Sequence, residues 1–180
     1  MKSFFECWQP VFEIVARLLG NGWRVNLLDD CQYRIKLTTP ALKRYAITVR
    51  EDKGRLVIHG FVESRQWHGY GARCTVSPSR GATGIADDIR RKILTSAQED
   101  VTKAQEAEQK QRDAQEQEEI IKGMLAQLVK LENWHDALTG FKAENGLGGK
   151  ITKYCGGYAL TVQDLSVEQL IKLTGAIKQL

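Results

Sequence analysis

Residues 45–62 read YAITVREDKGRLVIHGFV, and this stretch decides the fold. Tyr45, Ile47 and Val49 recur at every second position, the period of a half-buried strand. Glu51-Asp52-Lys53-Gly54 then has the chemistry of a hairpin connection. Leu56, Ile58 and Phe61 carry the second arm. Upstream, Tyr33, Ile35 and Leu37 alternate with Arg34 and Lys36 until Pro40 breaks the run. Before that, Trp23, Val25 and Leu27 alternate with Arg24 and Asn26, and Asp29-Asp30 reads as a turn. Downstream, Ala72 to Val76 makes a last strand after a Gly-rich aromatic loop. Period-2 patterning with short turns predicts an antiparallel meander of four or five strands, one face apolar and the other cationic.

A helix precedes this sheet. Pro10 suits a first helical turn, where its missing N–H costs nothing. Phe12, Val15, Ala16 and Leu19 fall on one helical face, and Gly20-Asn21-Gly22 stops the helix. Past Pro78 a second helix is expected, capped by Ser79 or Thr83, with Asp87 and Asp88 in its first turn. Its Ile85, Ile89 and Ile93 should pack on the sheet.

From Ser96 to Glu119 the chain is rich in Gln, Glu, Lys and Ala, without Pro or Gly. High helix propensity without an apolar face predicts a solvated helical spacer, and the weak heptad signal leaves a coiled coil open without fixing it. Apolar residues return at Ile120, Ile121, Met124, Leu125, Leu128 and Leu131. Unbroken from Thr83 to Leu131, such a helix would be about 70 Å long, with Gly123 as its weak point.

The tail reads as helix–hairpin–helix. Asn133 is placed to cap a short helix with Trp134, Ala137, Leu138 and Phe141. Strands at 151–155 and 158–162 flank Gly156-Gly157, and Ser166-x-x-Gln169 is a capping box. The fold class expected is therefore α+β. An N-terminal α+β domain spans 1–95, a long helical linker 96–132 and a C-terminal helix–hairpin–helix module 133–180.

No apolar run approaches the roughly 20 residues of a membrane-spanning helix. Glu6 stands where a signal peptide would be apolar, so a cytoplasmic setting with reduced thiols is expected. Cys7, Cys31, Cys74 and Cys155 lack CxxC spacing, and His59, His68 and His135 show no ligand spacing, so no metal or cofactor is indicated. Charge is uneven along the chain. Residues 1–95 carry 16 Lys and Arg against 9 Asp and Glu, whereas residues 96–132 carry 5 against 9. A basic front and an acidic middle suit a polyanionic partner, or two segments attracting each other.

One catalytic reading is open. Asp29 or Asp30 with Glu51-Asp52-Lys53 imitates the D…E-x-K pattern of a metal-dependent nuclease, although hairpin turns favour the same residues. Gly81-Ala82-Thr83-Gly84 lacks the GK[ST] ending of a phosphate loop, but Arg80 beside a helix start suits a phosphate. The loop Arg65-Gln66-Trp67-His68-Gly69-Tyr70-Gly71-Ala72-Arg73 mixes arginines with aromatics, as base-stacking surfaces do. With Arg34, Lys36, Lys43, Arg44, Arg50 and Arg55, the residues Arg65, Trp67, Tyr70, Arg73 and Arg80 form the expected binding surface.

Two stretches resemble accessory proteins of bacteriophages, prophages and other mobile elements. One is Thr75-Val76-Ser77-Pro78-Ser79-Arg80-Gly81 running into Ile85-Ala86-Asp87-Asp88-Ile89-Arg90-Arg91-Lys92-Ile93-Leu94. The other is Leu160-Thr161-Val162 leading to Leu165-Ser166-Val167-Glu168-Gln169-Leu170. The resemblance carries no catalytic residue. It implies a bacterial host and a binding role against host defence or replication machinery. The leading expectation is a non-catalytic protein that engages nucleic acid or a nucleic-acid-processing complex, most plausibly to inhibit host defence. The alternatives are a scaffold self-associating through Ile120, Ile121, Met124, Leu125 and Leu128, and the nuclease.

Overall fold

A computed structural model describes residues 3–29 and 31–180. The protein is α+β, with two antiparallel sheets, and divides into two compact units, Met1–Gln111 and Arg112–Leu180.

In the first unit, helix α1 (Phe4–Leu19) is followed by strands β1 (Arg24–Val25), β2 (Ile35–Thr38), β3 (Tyr45–Asp52), β4 (Arg55–Val62) and β5 (Ala72–Val76) in simple meander order. Helix α2 (Ala82–Ile89), a π turn (Arg90–Leu94) and the start of α3 (Ala97–Ala126) complete it. The hairpin read from residues 45–62 is present, with Val49 opposite Ile58 and Asp52 opposite Arg55. Its alternate apolar positions turn to one face, while Val57 and Phe61 turn to the other. Ile35, Leu37, Ile47, Val49, Leu56 and Ile58 are fully buried there, beneath Phe12 and Val15 of α1 and Ile85, Ile89 and Ile93 of the later helices. Nonlocal apolar burial of this kind supplies most of a unit's stability.

Several expectations are corrected. Helix α1 begins six residues before Pro10, because Ser3 and Glu6 form a capping box that satisfies two orphan N–H groups. Pro10 is thus interior. The first strand is short: the Asn26 side chain accepts a hydrogen bond from the Leu28 N–H, turning the chain and leaving Leu27 exposed. Tyr33 is likewise exposed, just before β2 begins. Neither Ser79 nor Thr83 caps α2; Gly81 occupies the N-cap without a side-chain bond. Asp88 lies in the second turn, where it is buried against cations. The stretch from Thr83 to Leu131 is a bent helix that ends at Ala126. Thr95 donates its hydroxyl to the carbonyls of Arg90 and Arg91, at 3.3 and 2.8 Å, and the helix bends there with Thr95 still right-handed helical at φ −59° and ψ −38° before α3 begins. Nor is the start of α3 a solvated spacer, since Ala97, Val101 and Ala104 are buried in the first unit's core.

The π turn fits over a glycine. Tyr45 Oη donates to the Ile93 carbonyl, and a Cβ on Gly60 would lie 2.3 Å from that oxygen and 2.4 Å from Ile93 Cγ2. Burial pushes the Tyr45 phenol above its ordinary range.

The second unit holds the end of α3, strands β6 (Lys130–Glu132), β7 (Thr139–Lys142), β8 (Gly148–Tyr154) and β9 (Gly157–Gln163), and helix α4 (Val167–Ile177). These strands form a second antiparallel meander. The helix expected over Trp134–Phe141 is a turn and strand instead. Pairing of Thr139–Lys142 with β8 overrides its helical spacing, and Gly140 leaves room for the Trp134 ring, whose nearest atom would sit 2.1 Å from an added Cβ. Helix α3 therefore ends at Ala126, so Leu128 lies beyond it and Leu131 on β6. The β8–β9 connection is the pair Cys155-Gly156, one position earlier than the pair expected, with Gly156 at φ 94°. The Ser166–Gln169 capping box of α4 is present.

Candidate nucleic-acid interface

With the helices packed on one face of the first sheet, strand alternation sends the remaining side chains to the other. Register places Lys36 beside Thr48, Thr48 beside His59, His59 beside Arg73, and Arg50 beside Val57. Arg24, Arg34 and Arg55 follow by the same alternation. The cationic face read from the sequence therefore exists, and it is the face that carries no helix.

At its centre lies a hollow of about 560 Å³, lined by Arg34, Arg50, Val57, His59, Tyr70 and Arg73 among others. Val57 is its buried apolar floor. Arg34 is held by Asp29 through two bonds of 2.9 Å, which in turn keep the Asp29 carboxyl below its ordinary range. Lys36 pairs with Glu63 at 2.5 Å. Arg24, Arg50, Arg55 and Arg73 have no acidic partner within 4.0 Å among the described residues. Uncompensated guanidinium groups around a concave surface raise the local positive potential and offer planar donors for phosphate.

The aromatic loop forms one rim. Gly71 carries it over β4 at φ 62°, so close that a Cβ would lie 2.1 Å from the Gly60 carbonyl oxygen. This crossing lets His59 Nε2–H donate to the Tyr70 carbonyl at 2.8 Å. The His59 ring stacks on Phe61 with centroids 5.4 Å apart, and the Tyr70 side chain stands 99% exposed. An unpacked tyrosine beside a stacked pair, bordered by arginines, suits base stacking.

Not every expected residue joins this surface. Trp67 turns inward and packs against the hydrophobic core. Arg65 is exposed on the loop but does not line the hollow. Arg44, at φ 66° in the β2–β3 turn, is taken by Glu108 of α3 at 2.5 Å, with Lys43 exposed beside it. The acidic helix thus claims one of the predicted cations. Two residues that the binding-surface prediction omitted, His59 and Arg24, belong to the face; the period-2 alternation of their strands is the signal for both.

Arg80 lies elsewhere, in a polar recess with Arg55, Ser77, Ser79, Arg91 and Lys92. Asp88 is the recess's buried anion, bonded to Arg80 at 2.9 Å, Lys92 at 2.9 Å and Arg91 at 3.1 Å. The hydrogen bond from Lys92, with the other cations, holds the Asp88 carboxyl below its ordinary value despite burial. Its contribution to stability is therefore complete above the unfolded value near 4 and disappears as pH falls through the lower folded value. Asp88→Asn is expected to cost about 2 kcal/mol at pH 7 and to flatten the acid limb of unfolding, measured by urea titration at pH 7 and pH 3. An unchanged pH dependence would contradict this role.

The carboxylates of the nuclease reading are not gathered. Asp29 is committed to Arg34, Glu51 and Asp52 point to alternate faces, and Lys53 sits in the turn at φ 50°; Asp30 lies outside the described residues. Among the described residues, no three His, Cys, Asp or Glu side chains are grouped to hold a metal. The four cysteines are unpaired, with Cys74 buried and its thiol pushed up by that burial. No helix among the described residues is long and apolar enough to cross a membrane. No family model, no curated protein and no solved structure matches the chain.

Proposed function

We propose that this protein binds single-stranded nucleic acid, without chemistry, on the helix-free face of its first sheet. The observation that carries the reading is the hollow itself: Arg50 and Arg73, without an acidic partner among the described residues, flank an apolar floor and an exposed tyrosine. Phosphates meet the guanidinium groups while unstacked bases lie on Tyr70 and the His59–Phe61 pair. A duplex hides its base faces and gains only the electrostatic part. The use we attach to this binding is interference with a nucleic-acid-processing defence complex; the sequence resemblance to mobile-element accessory proteins supports it.

Fluorescence anisotropy tests the reading with labelled 12-nucleotide single strands and the matching duplex. Single strands are expected to bind at micromolar Kd in low salt, several-fold tighter than duplex. No binding of either at 100 µM protein contradicts it.

A further inference from the structure

We infer that the second unit is completed by another copy of this chain. Among the described residues from Arg112 to Leu180, no apolar side chain is buried; the hydrophobic core ends at Ala104. The unit nevertheless has an apolar sheet face. Register puts Phe141 opposite Gly149, Ile151 opposite Leu160, and Gly149 opposite Val162 on that face. It borders an open hollow of about 520 Å³, walled by Ile121 and Leu125 of α3 and by Leu173 of α4. This is the layout of a sheet-and-helix core with its central layer missing. Four strands and two helix segments do not hold together on surface hydrogen bonds alone.

The exposed area fits a dimer. Twelve large apolar side chains after residue 119 are more than a third exposed; Trp134, over Gly140, and Tyr154 lie on the sheet's other face. At roughly 60–120 Å² of apolar surface each, about half of it open, the rest present about 450 Å². A monomer's largest apolar patch is about 300–600 Å². A standard dimer buries about 800 Å² per partner, somewhat more than half of it apolar. The unit also carries both halves of such a contact. Ile120 and Met124, one helical turn apart and 56% and 63% exposed, form a raised apolar row, and the hollow is its complement. Reciprocal insertion of row into hollow is the self-complementary arrangement that two-fold symmetry requires. Charge does not oppose it, since residues 112–180 hold eight Lys and Arg against nine Asp and Glu.

Size-exclusion chromatography with light scattering, on nuclease-treated full-length protein in high salt, tests the inference. The mass expected at 10 and 200 µM is twice the 20.3 kDa of one chain. Met124→Glu and Leu160→Glu replace side chains that are 63% and 59% exposed within one copy, so both variants are expected to fold, checked by far-UV circular dichroism. Each is expected to return the single-chain mass. A wild-type monomer at 200 µM, or a dimer that survives both substitutions, overturns the inference. So does a monomer that instead recruits a stoichiometric host protein through Leu160.

Discussion

Replacing both Arg50 and Arg73 with glutamate is expected to raise the Kd for single-stranded nucleic acid at least 100-fold in about 100 mM salt. The reason is local. Both arginines line the hollow and neither has an acidic partner among the described residues, so their charge is available to a ligand. A hydrogen bond to a charged group contributes about 1.5 kcal/mol or more, so losing two costs about 3 kcal/mol, a factor above 100. The new carboxylates add repulsion. Both side chains are exposed and outside the core, so the unfolding free energy should stay within about 0.5 kcal/mol of wild type. Arg44→Glu is the contrasting case: it breaks the pair with Glu108 and lies away from the hollow, so binding should change little. Equal losses in the two variants would mean that net charge, not the hollow, governs binding.

The second large effect concerns the scaffold. Gly60→Ala is expected to destabilise the first unit by about 3 kcal/mol, the upper range for overpacking. The added methyl would meet Tyr45 Oη at 2.3 Å and Ile93 Cγ2 at 2.4 Å, both fully buried and joined by the tyrosine's bond to the Ile93 carbonyl. Neither can retreat without moving the π turn off the sheet. For a unit near 100 residues this lowers Tm by about 12–20 °C, read from the thermal near-UV signal. Gly60 also pairs with Ala72, so the loop bearing Tyr70 should loosen too. A drop below about 4 °C would show that the helix layer yields easily.

The first sheet and α1 were legible because their signals are strong and local. Alternation at Tyr45, Ile47 and Val49, a turn at Lys53-Gly54 and the apolar stripe Phe12 to Leu19 each point to one structure. The cationic face followed from the same alternation, since Arg50 follows the buried Val49 and Arg73 precedes the buried Cys74. The partners of those cations were not legible. Asp29 on Arg34, Glu63 on Lys36 and Glu108 on Arg44 are set by tertiary approach over separations of 5, 27 and 64 residues. Trp67 was ambiguous for the same reason, because a loop aromatic reads alike whether it faces core or solvent. In the second unit the spacing of Trp134, Leu138 and Phe141 suggested a helix, whereas Gly140 and the Asn145-Gly146 turn were the better evidence for a hairpin. The Ser3-x-x-Glu6 box was visible in the sequence, and its two reciprocal bonds set the start of α1, leaving Pro10 inside the helix.

The salt dependence of single-strand binding, compared between wild type and an Arg50→Gln, Arg73→Gln double variant, bears most directly on the role of the helix-free face. Each neutralised phosphate contributes about −0.7 to the slope of log K against log salt. Arg50 and Arg73, the two cations lining the hollow with no acidic partner among the described residues, contribute about −1.4 to the wild-type slope, and the double variant should lose that share. A slope near zero, or one that both proteins share, would contradict phosphate binding in this hollow.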